Sequence, residues 1–372
     1  MGISKSIDFL LETAGPVIQY RLRKEILQDL THDQEENLLE KIYQTPYFKL
    51  LERYVKPDGY IGVSAHGWDN WRGVKLHETP LQDGETAARL LAYYAVPKDA
   101  PVVKNFVLAM RDDAVLSEAF SHIPPEAARF ENRFKGIKSG FSLMLLLTAM
   151  QAMLGWGDDE YVKPYQNTAL DAFKSILPLA SLTEITRISE SSSKYNYPYI
   201  DEDTYFPCQY HLETLSYTKS WRTPENIGLM TRALNHYNDI TAGPDPIHVK
   251  IGGKFYVPFP LNMGNAPIRA FRADLIDCIT YRRLLTEIAM LGVGDGVGCI
   301  RESLVNIEEA MDKDGILRLK FDEPHNKRYS PKKIEYPTAY SDVRLEPDYT
   351  RKYALECDLT FWAVQLVYLS NR

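Results

Sequence analysis

Three short turn sequences recur along the chain, each between two apolar helical runs. They are residues 95–99 (AVPKD), 155–159 (GWGDD) and 292–296 (GVGDG). The second interval is a little over twice the first, which predicts an unmarked copy near Asn238 and Asp239. Repetition at this spacing is typical of stacked helix pairs, because one such pair cannot bury its apolar face alone.

Each repeat is predicted to pair an inner helix, apolar around most of its circumference, with an outer helix that carries a charged face. The inner candidates are residues 86–94, 141–150, 227–234, 284–291 and 361–367. With one further hairpin at the N-terminus, they give five or six helical hairpins. No segment between them shows the alternation of apolar and polar residues that a long strand would have. The sequence therefore predicts an all-α fold, a single α/α-toroid domain over residues 1–372 in which a barrel of inner helices is surrounded by outer ones.

Charge and cysteine content exclude several classes of partner. The net charge is −7 and the basic residues are dispersed, which disfavours nucleic acid. The four cysteines lie far apart without a CxxC pair, so neither a zinc site nor a disulfide framework is expected, and a reducing cytoplasm fits.

The most apolar run, residues 141–150, is too short to span a membrane. The whole chain contains 24 Tyr, 14 Phe and 5 Trp, a content that suits helix packing or the walls of a concave site.

Two outer helices are followed by Asp-Gly and an apolar or aromatic residue, at residues 57–62 and 313–316. With the hairpin pattern, this resembles the superfamily of squalene and terpenoid cyclases and protein prenyltransferase β-subunits. More closely, residues 221–225 and 66–85 resemble bacterial proteins described as prenyltransferase-like. The resemblance implies an α/α toroid whose central cavity holds a small apolar or amphipathic ligand.

The chain departs from the catalytic motifs of that superfamily. It contains no Asp-x-Asp-Asp string of the kind with which a triterpene cyclase protonates an alkene. The prenyltransferase zinc site needs Asp, Cys and His, yet Asp277-Cys278 and Cys357 have no histidine nearby. We therefore expect no metal and no cofactor, and the sequence leaves open whether the protein is an enzyme.

The densest polar and aromatic stretch, residues 66–86, leads directly into an inner helix. Such a loop is expected at one mouth of the barrel, where scaffold loops usually carry sites. Asp83 or Glu85 is the candidate general acid and His77 its catalytic partner, with Trp71 as an aromatic wall and Arg72 as a ligand-binding residue. In the alternative interpretation, Asp83 only caps the helix and the other charges are solvated.

Further candidates lie near the starts of other inner helices, where parallel helices would bring them to the same rim. Arg222 is a candidate anion clamp, Tyr210 an aromatic wall, and the remaining ligand-binding candidates are His211, Trp221, Glu356 and Asp358. Carboxylates that share a confined rim raise one another's pKa, which is how a general acid is made. Acidic residues in a first turn also stabilise a helix through its dipole, so a structural role stays open for them.

The function predicted from these features is that of a barrel protein that holds a small apolar or amphipathic molecule, with acid catalysis by rim carboxylates if chemistry occurs. Two alternatives remain. A carbohydrate-active hydrolase or lyase on an (α/α) barrel would use an open groove with facing carboxylates. A non-catalytic interaction scaffold would have its barrel plugged by side chains.

Overall fold

The computed structural model describes residues 3–66, 81, 83–121, 129–189, 197–241, 247–258, 261, 268–276, 281–319, 337 and 343–372. Over these ranges the chain is mostly helical, with one small sheet. Its α-helices are α1 (Ser4–Thr13), α2 (Pro16–Arg21), α3 (His32–Tyr43), α4 (Pro46–Glu52), α5 (Gly84–Tyr93), α6 (Pro101–Ala109), α7 (Asp113–Phe120), α8 (Leu143–Gln151), α9 (Lys163–Ser175), α10 (Gln209–Ser216), α11 (Pro224–Ile240), α12 (Tyr281–Met290), α13 (Gly298–Ala310) and α14 (Ala354–Ser370). Among the helices described, none has the length and apolar character needed to cross a membrane.

The short helical segments are of two kinds. Two π-helical segments, Leu22–Leu27 and Ala152–Trp156, continue α2 and α8. The 3-10 segments are Phe130–Asn132, Leu182–Glu184, Ala273–Leu275 and Gly294–Gly296.

Several helices begin where the sequence supplies a cap or a proline. The Asp83 side chain accepts from the Thr86 amide at the start of α5, and Thr223 caps α11, in which Pro224 occupies the first position. Capping satisfies backbone N–H groups that have no intrahelical partner, and proline has no such group to satisfy. Both starts agree with the sequence-based expectation.

The three recurrent turns separate helices as predicted. Each opens with a residue in the left-handed region: φ is 51° at Ala95, 83° at Gly155 and 80° at Gly292. This conformation ends a helix and lets the chain reverse. The fourth copy is wrong, because Asn238 and Asp239 lie inside the last turn of α11.

The sheet corrects the all-α expectation. Its strands are β1 (Arg187–Ile188), β2 (Pro198–Asp201), β3 (His248–Ile251) and β4 (Lys254–Tyr256), in that spatial order. β2 and β3 are parallel, whereas the two outer pairings are antiparallel. Strands of two to four residues are too short to show a period of two in the sequence.

Five helices, α5, α8, α10, α12 and α14, are buried around most of their circumference. In chain order each packs against the next, and α14 also packs on α1 and α2. The apolar core divides into two clusters, and α14 belongs to both: Phe361 packs in the N-terminal cluster and Trp362 in the C-terminal one. This last helix therefore joins the two halves of the core.

Helix α11 is not buried around most of its circumference, contrary to the prediction for an inner helix at residues 227–234. It buries a single face, formed by Met230, Ala233, Leu234 and Tyr237, and packs on α9. The helix buried in this part of the chain is α10, whose eight residues are all buried. Five of those residues are polar or charged, so the sequence of α10 does not look like that of a buried helix: Gln209, His211, Glu213, Thr214 and Ser216.

Candidate functional site

A buried charge network joins α5, α10 and α12, with Arg89 at its centre. The Arg89 guanidinium donates to Glu85 Oε1 at 2.8 Å and to Glu213 Oε1 at 2.9 Å. Glu287 Oε1 lies 4.0 Å from Arg89 Nη1. All four side chains are buried, and buried charges are tolerated only when they are paired in this way.

His66 and Tyr210 complete the network at the start of α5. His66 Nδ1 lies 2.5 Å from Glu85 Oε2, and the Tyr210 hydroxyl donates to the same oxygen at 3.3 Å. Burial opposes ionisation of both His66 and Glu85, but their mutual attraction outweighs it and raises the pKa of His66. The same attraction, with help from Arg89, lowers the pKa of Glu85 to about 2. Glu85 is therefore held as a carboxylate and is unsuited to donate a proton near neutral pH.

Asp83 differs from Glu85 although the two are neighbours. Burial and the negative charge of Glu85 raise the pKa of Asp83 to about 6. Its two oxygens accept from the amide and the hydroxyl of Thr86, both at 2.8 Å. The raised pKa matches the sequence-based expectation for a candidate acid, whereas one oxygen caps the helix through the Thr86 amide and the other accepts from the Thr86 side chain.

A pocket lies between the buried helices, and none of the described residues of the predicted rim loop, which are 66, 81 and 83–86, is among its described lining residues. Its space measures about 610 Å3, including the solvent at its mouth. The described residues that line it come from α2, α5, α12, α14, the residue after α10, and the segment before α14. They are Arg21, Ala92, Tyr93, Tyr217, Arg282, Arg283, Thr286, Met290, Val343, Leu345, Asp358, Phe361, Trp362 and Gln365.

Helix periodicity places these lining residues. Arg282, Thr286 and Met290 are four residues apart, which puts them on one face of α12. Asp358, Phe361, Trp362 and Gln365 form a similar face of α14. Faces of α12 and α14 therefore form two walls of the pocket, and the α14 wall carries both a carboxylate and aromatic rings.

The polar groups of the pocket are linked to one another and to the charge network. Arg282 Nη1 lies 3.7 Å from Asp358 Oδ2. The Asp358 carboxylate accepts from the Leu345 amide at 3.3 Å and from the Tyr349 hydroxyl. Arg283 Nε lies 3.8 Å from Glu213 Oε1. Arg283 thus lines the pocket and also reaches the network around Arg89.

Arg21 has a different environment from the other two arginines of the pocket. It donates to both oxygens of Glu25, at 2.8 and 2.9 Å, and its guanidinium carbon lies 5.1 Å from the centre of the Phe361 ring. Burial would lower the pKa of Arg21, but the adjacent Glu25 carboxylate outweighs it and raises that pKa. Arg21 therefore packs as a fixed cation over an aromatic wall.

The sequence predicted that residues 66–85 and 205–222 meet over one cavity; they are in contact where the Tyr210 hydroxyl donates to Glu85, but neither residue is among the described residues that line the pocket. Arg222 does not join them. It donates to the Ser216 carbonyl at 2.8 Å, at the end of α10 opposite Tyr210, and Trp221 Nε1 donates to the Leu215 carbonyl at 2.9 Å. At 1.5 Å per residue the two ends of α10 are roughly 9 Å apart, so Tyr210 and Arg222 do not form one anion site.

The remaining candidates have separate locations. His211 accepts from the Cys208 amide at 3.3 Å and lies 2.9 Å from the Ile137 carbonyl, and burial lowers its pKa to about 4, so it holds the fold as a neutral imidazole. Glu356 lies 3.8 Å from Arg318 and is not among the described lining residues. Asp358 does line the pocket. Trp71, Arg72 and His77 lie outside the described residues.

Sequence reasoning missed most of the charged groups that matter here: Arg89, Glu213, Arg282, Arg283 and Glu287. One signal was available, since Glu85 and Arg89 have the i, i+4 spacing of a helical ion pair. A second was the adjacent pair Arg282 and Arg283 in the first turn of a predicted buried helix. Within the described ranges, no group of three or more His, Cys, Asp or Glu side chains is placed to hold a metal ion.

Comparison of the chain with protein families, curated proteins and solved structures finds no match. The geometry of the pocket and of the charge network is therefore the basis for a proposed function.

Proposed function

We propose that this protein is an α/α toroid that holds a small amphipathic molecule in its central pocket. In the proposed arrangement, α2, α5, α8, α10, α12 and α14 form the inner wall, and α9, α11 and α13 lie outside it. Two observations support the ring. The buried helices pack on one another in chain order, and residues from both ends of the chain line one pocket.

The observation that carries the ligand proposal is the composition of the pocket walls. Phe361, Trp362 and Met290 supply apolar surface, whereas Arg282 and Asp358 supply charged groups on the same two helices. Sites for small molecules typically combine a largely apolar concave surface with a few fixed polar groups. A ligand with an apolar body and one polar end is complementary to such walls.

The two alternatives have less support. A glycoside hydrolase uses two carboxylates on opposite sides of the substrate, and the described lining residues include one, Asp358. A scaffold role would suit a barrel plugged by side chains, whereas here side chains of several buried helices line a pocket.

The proposal is one of binding and does not assign acid catalysis to Asp83 or Glu85. Neither is among the described lining residues, and Glu85 is held as a carboxylate by His66 and Arg89. Asp358 is the carboxylate placed to orient a ligand. The proposal therefore retains one implication of the resemblance to terpenoid cyclases and prenyltransferases, a small ligand in the central cavity. It does not include their acid or zinc chemistry.

Titration with a neutral hydrophobic fluorophore, phenylnaphthylamine, tests this proposal. We expect saturable binding at one site per chain, lost in Met290→Trp because the larger side chain fills the pocket. Val305→Trp, which changes an exposed residue of α13, is the matched control and should bind the dye as the unmodified protein does. Equal binding by the Met290→Trp variant would disprove the proposal, provided circular dichroism shows that the variant is folded.

A further inference from the structure

We infer that the pocket recognises a neutral amide, so that its ligand is a small amphipathic molecule whose polar end is an uncharged carboxamide or lactam bound by Gln365. This inference rests on the proposed function and specifies the chemical class of its ligand. The apolar body of the ligand packs against Phe361, Trp362 and Met290, which line the same pocket.

Gln365 is a buried polar side chain whose amide is unpaired in the described part of the protein. The residue is 9% exposed and is one of those that line the pocket. Within the described ranges its side chain makes no hydrogen bond. A primary amide offers two donors and one acceptor, and a buried polar group is normally hydrogen-bonded. A buried amide without a partner destabilises a fold, so a ligand that supplies the partner is bound favourably.

The charged side chains of the pocket walls, in contrast, have partners of opposite charge. Arg282 lies 3.7 Å from Asp358, and Arg283 lies 3.8 Å from Glu213. Arg21 donates to both oxygens of the carboxylate four residues further along the chain. Each arginine of the walls thus has a carboxylate beside it, so these pairs give the pocket no excess of either sign. A charged ligand end would lose its hydration there without a compensating charge, whereas a neutral end avoids that cost.

On α14, Gln365 lies beside the aromatic walls and away from the ion pair of the pocket. Phe361 and Trp362 precede it by four and three residues, which places all three on one helix face. Asp358 is two turns away, roughly 10 Å along the helix axis. Trp362 Nε1 donates to Thr286 Oγ1 at 3.0 Å, which holds the indole ring in place. The amide is therefore adjacent to a fixed apolar wall, as recognition of an amphipathic ligand requires.

Tyr217 supplies a second neutral polar group on the walls. It directly follows α10 and lines the pocket, and in the described part of the chain its hydroxyl makes no hydrogen bond. Burial raises the pKa of Tyr217 well above its ordinary value, so the hydroxyl keeps its proton. A phenol donates to a carbonyl or accepts from an N–H group. Gln365 and Tyr217 therefore both offer hydrogen bonds without carrying charge.

A carboxamide or lactam is the head group that complements the glutamine amide. Two amides pair edge to edge, because the C=O of each accepts from the N–H of the other. A ketone accepts from Gln365 but cannot donate to it, an ammonium group only donates, and a carboxylate only accepts. The neutral amide thus uses both the donor and the acceptor of Gln365 and leaves neither unpaired.

Four ligands with similar alkyl chains test the inference by calorimetry near neutral pH: octanamide, heptyl methyl ketone, octanoate and octylamine. The ketone has the shape of octanamide, with a methyl group in place of the amide nitrogen. We expect octanamide to bind about tenfold more tightly than the ketone, about 1.4 kcal/mol, because the ketone leaves the glutamine carbonyl unpaired. Octanoate and octylamine should also bind more weakly than octanamide.

Variants at Gln365 sharpen the test. Gln365→Leu should lower octanamide affinity about tenfold and leave ketone binding unchanged, so that the preference disappears. It should not lower Tm, because it removes a buried polar group that has no partner in the described protein. Gln365→Met keeps the unbranched shape and replaces Gln365→Leu if that variant does not fold. Gln44→Leu is the matched control, since Gln44 is exposed and is not among the described lining residues.

The outcomes separate this inference from the proposed function. Equal binding of octanamide and the ketone, or tightest binding of octanoate or octylamine, overturns the amide, while binding of phenylnaphthylamine still supports the pocket as a ligand site. An unchanged preference for octanamide in the Gln365 variants has the same consequence. A large fall in Tm in both variants would show that the amide serves the fold and would also overturn the inference. Binding of none of the four ligands and no dye overturns both proposals.

Discussion

His66 Nδ1 lies 2.5 Å from Glu85 Oε2, in a part of the protein where both side chains are buried. Glu85, Glu213 and Glu287 surround Arg89, so three carboxylates lie close to two guanidiniums once Arg283 is included. A protonated His66 supplies the third positive charge. The raised pKa of His66 favours its protonated form, which places a positive charge beside Glu85.

The first prediction concerns the pH dependence of stability. The folded protein raises the pKa of His66 above its unfolded value of about 6.5, mainly through Glu85, which outweighs the opposing effect of burial. The stabilisation is fully present below about pH 6.5 and is lost as the pH rises through the folded pKa. His66→Gln should remove this dependence above pH ~6.5.

Denaturant unfolding between about pH 6 and 9 measures this effect. His32→Gln is the control, because the His32 side chain is 80% exposed beside Glu36 and should keep the slope of the unmodified protein. An unchanged slope in the His66→Gln variant would show that His66 is not protonated in the folded network.

A second prediction follows from Asp83, whose pKa is raised to about 6 chiefly by burial. Because the pKa of Asp83 is higher in the folded state, the folded protein keeps this proton at pH values at which the unfolded chain has lost it. Stability is therefore lost as the pH rises from about 4 to about 6. Asp83→Asn removes the charge and keeps a capping side chain. At pH ~8 it should be at least as stable as the unmodified protein, with a gain of up to the order of 3 kcal/mol.

Asp83→Ala separates capping from charge. It removes the same ionisation but also the side-chain acceptor for the Thr86 amide, so it should be about 1 kcal/mol less stable than Asp83→Asn. Thermal melts at pH ~8 compare the three proteins. A large loss of stability in Asp83→Asn would mean that the fold needs the carboxylate charge itself.

Local rules in the sequence account for elements whose ends and partners are close in the chain. α5 was predicted within two residues of its ends, since a capping aspartate and helical periodicity mark it, and the unbroken apolar run at residues 361–367 lies inside α14. Asp83 was expected to cap α5 in one of the two interpretations, and it does. Its raised pKa was expected from the concentration of carboxylates near that helix start.

The elements and charged groups that sequence reasoning missed depend on partners far away in the chain. α10 contains buried Glu213, whose partner Arg89 is 124 residues away, and buried Gln209, whose partner Glu287 is 78 residues away. Without those partners the helix looks polar and exposed, so α11 was chosen in its place. The pocket arginines were missed for the same reason, because only packing of α12 against α14 places Arg282 beside Asp358.

A third prediction concerns the turn after α5. Ala95 has a φ of 51°, which an L-residue adopts at a cost, whereas Gly155 in the equivalent turn has a φ of 83°. Ala95→Gly should therefore stabilise the protein by about 0.5 to 1 kcal/mol. The reciprocal change Gly155→Ala should destabilise it by more than about 1 kcal/mol, because the added Cβ also lies 3.3 Å from Lys98 Cβ. Shifts of the two variants in the same direction would contradict this account of the turns.

The last prediction concerns Arg89, which bonds to carboxylates on both α5 and α10. Arg89→Met keeps much of the side-chain volume but leaves Glu85 and Glu213 without the guanidinium that compensates their burial. Breaking a buried ion pair from one side typically costs about 3 to 5 kcal/mol, so we expect a loss of this size in urea unfolding. Lys49→Met breaks an exposed pair with Glu52 and should change stability by less than about 1 kcal/mol.

Adding Glu213→Gln to Arg89→Met should recover part of the loss of stability, because it removes one uncompensated charge. No recovery in the double variant would mean that Arg89 stabilises the protein by packing and not by pairing these carboxylates.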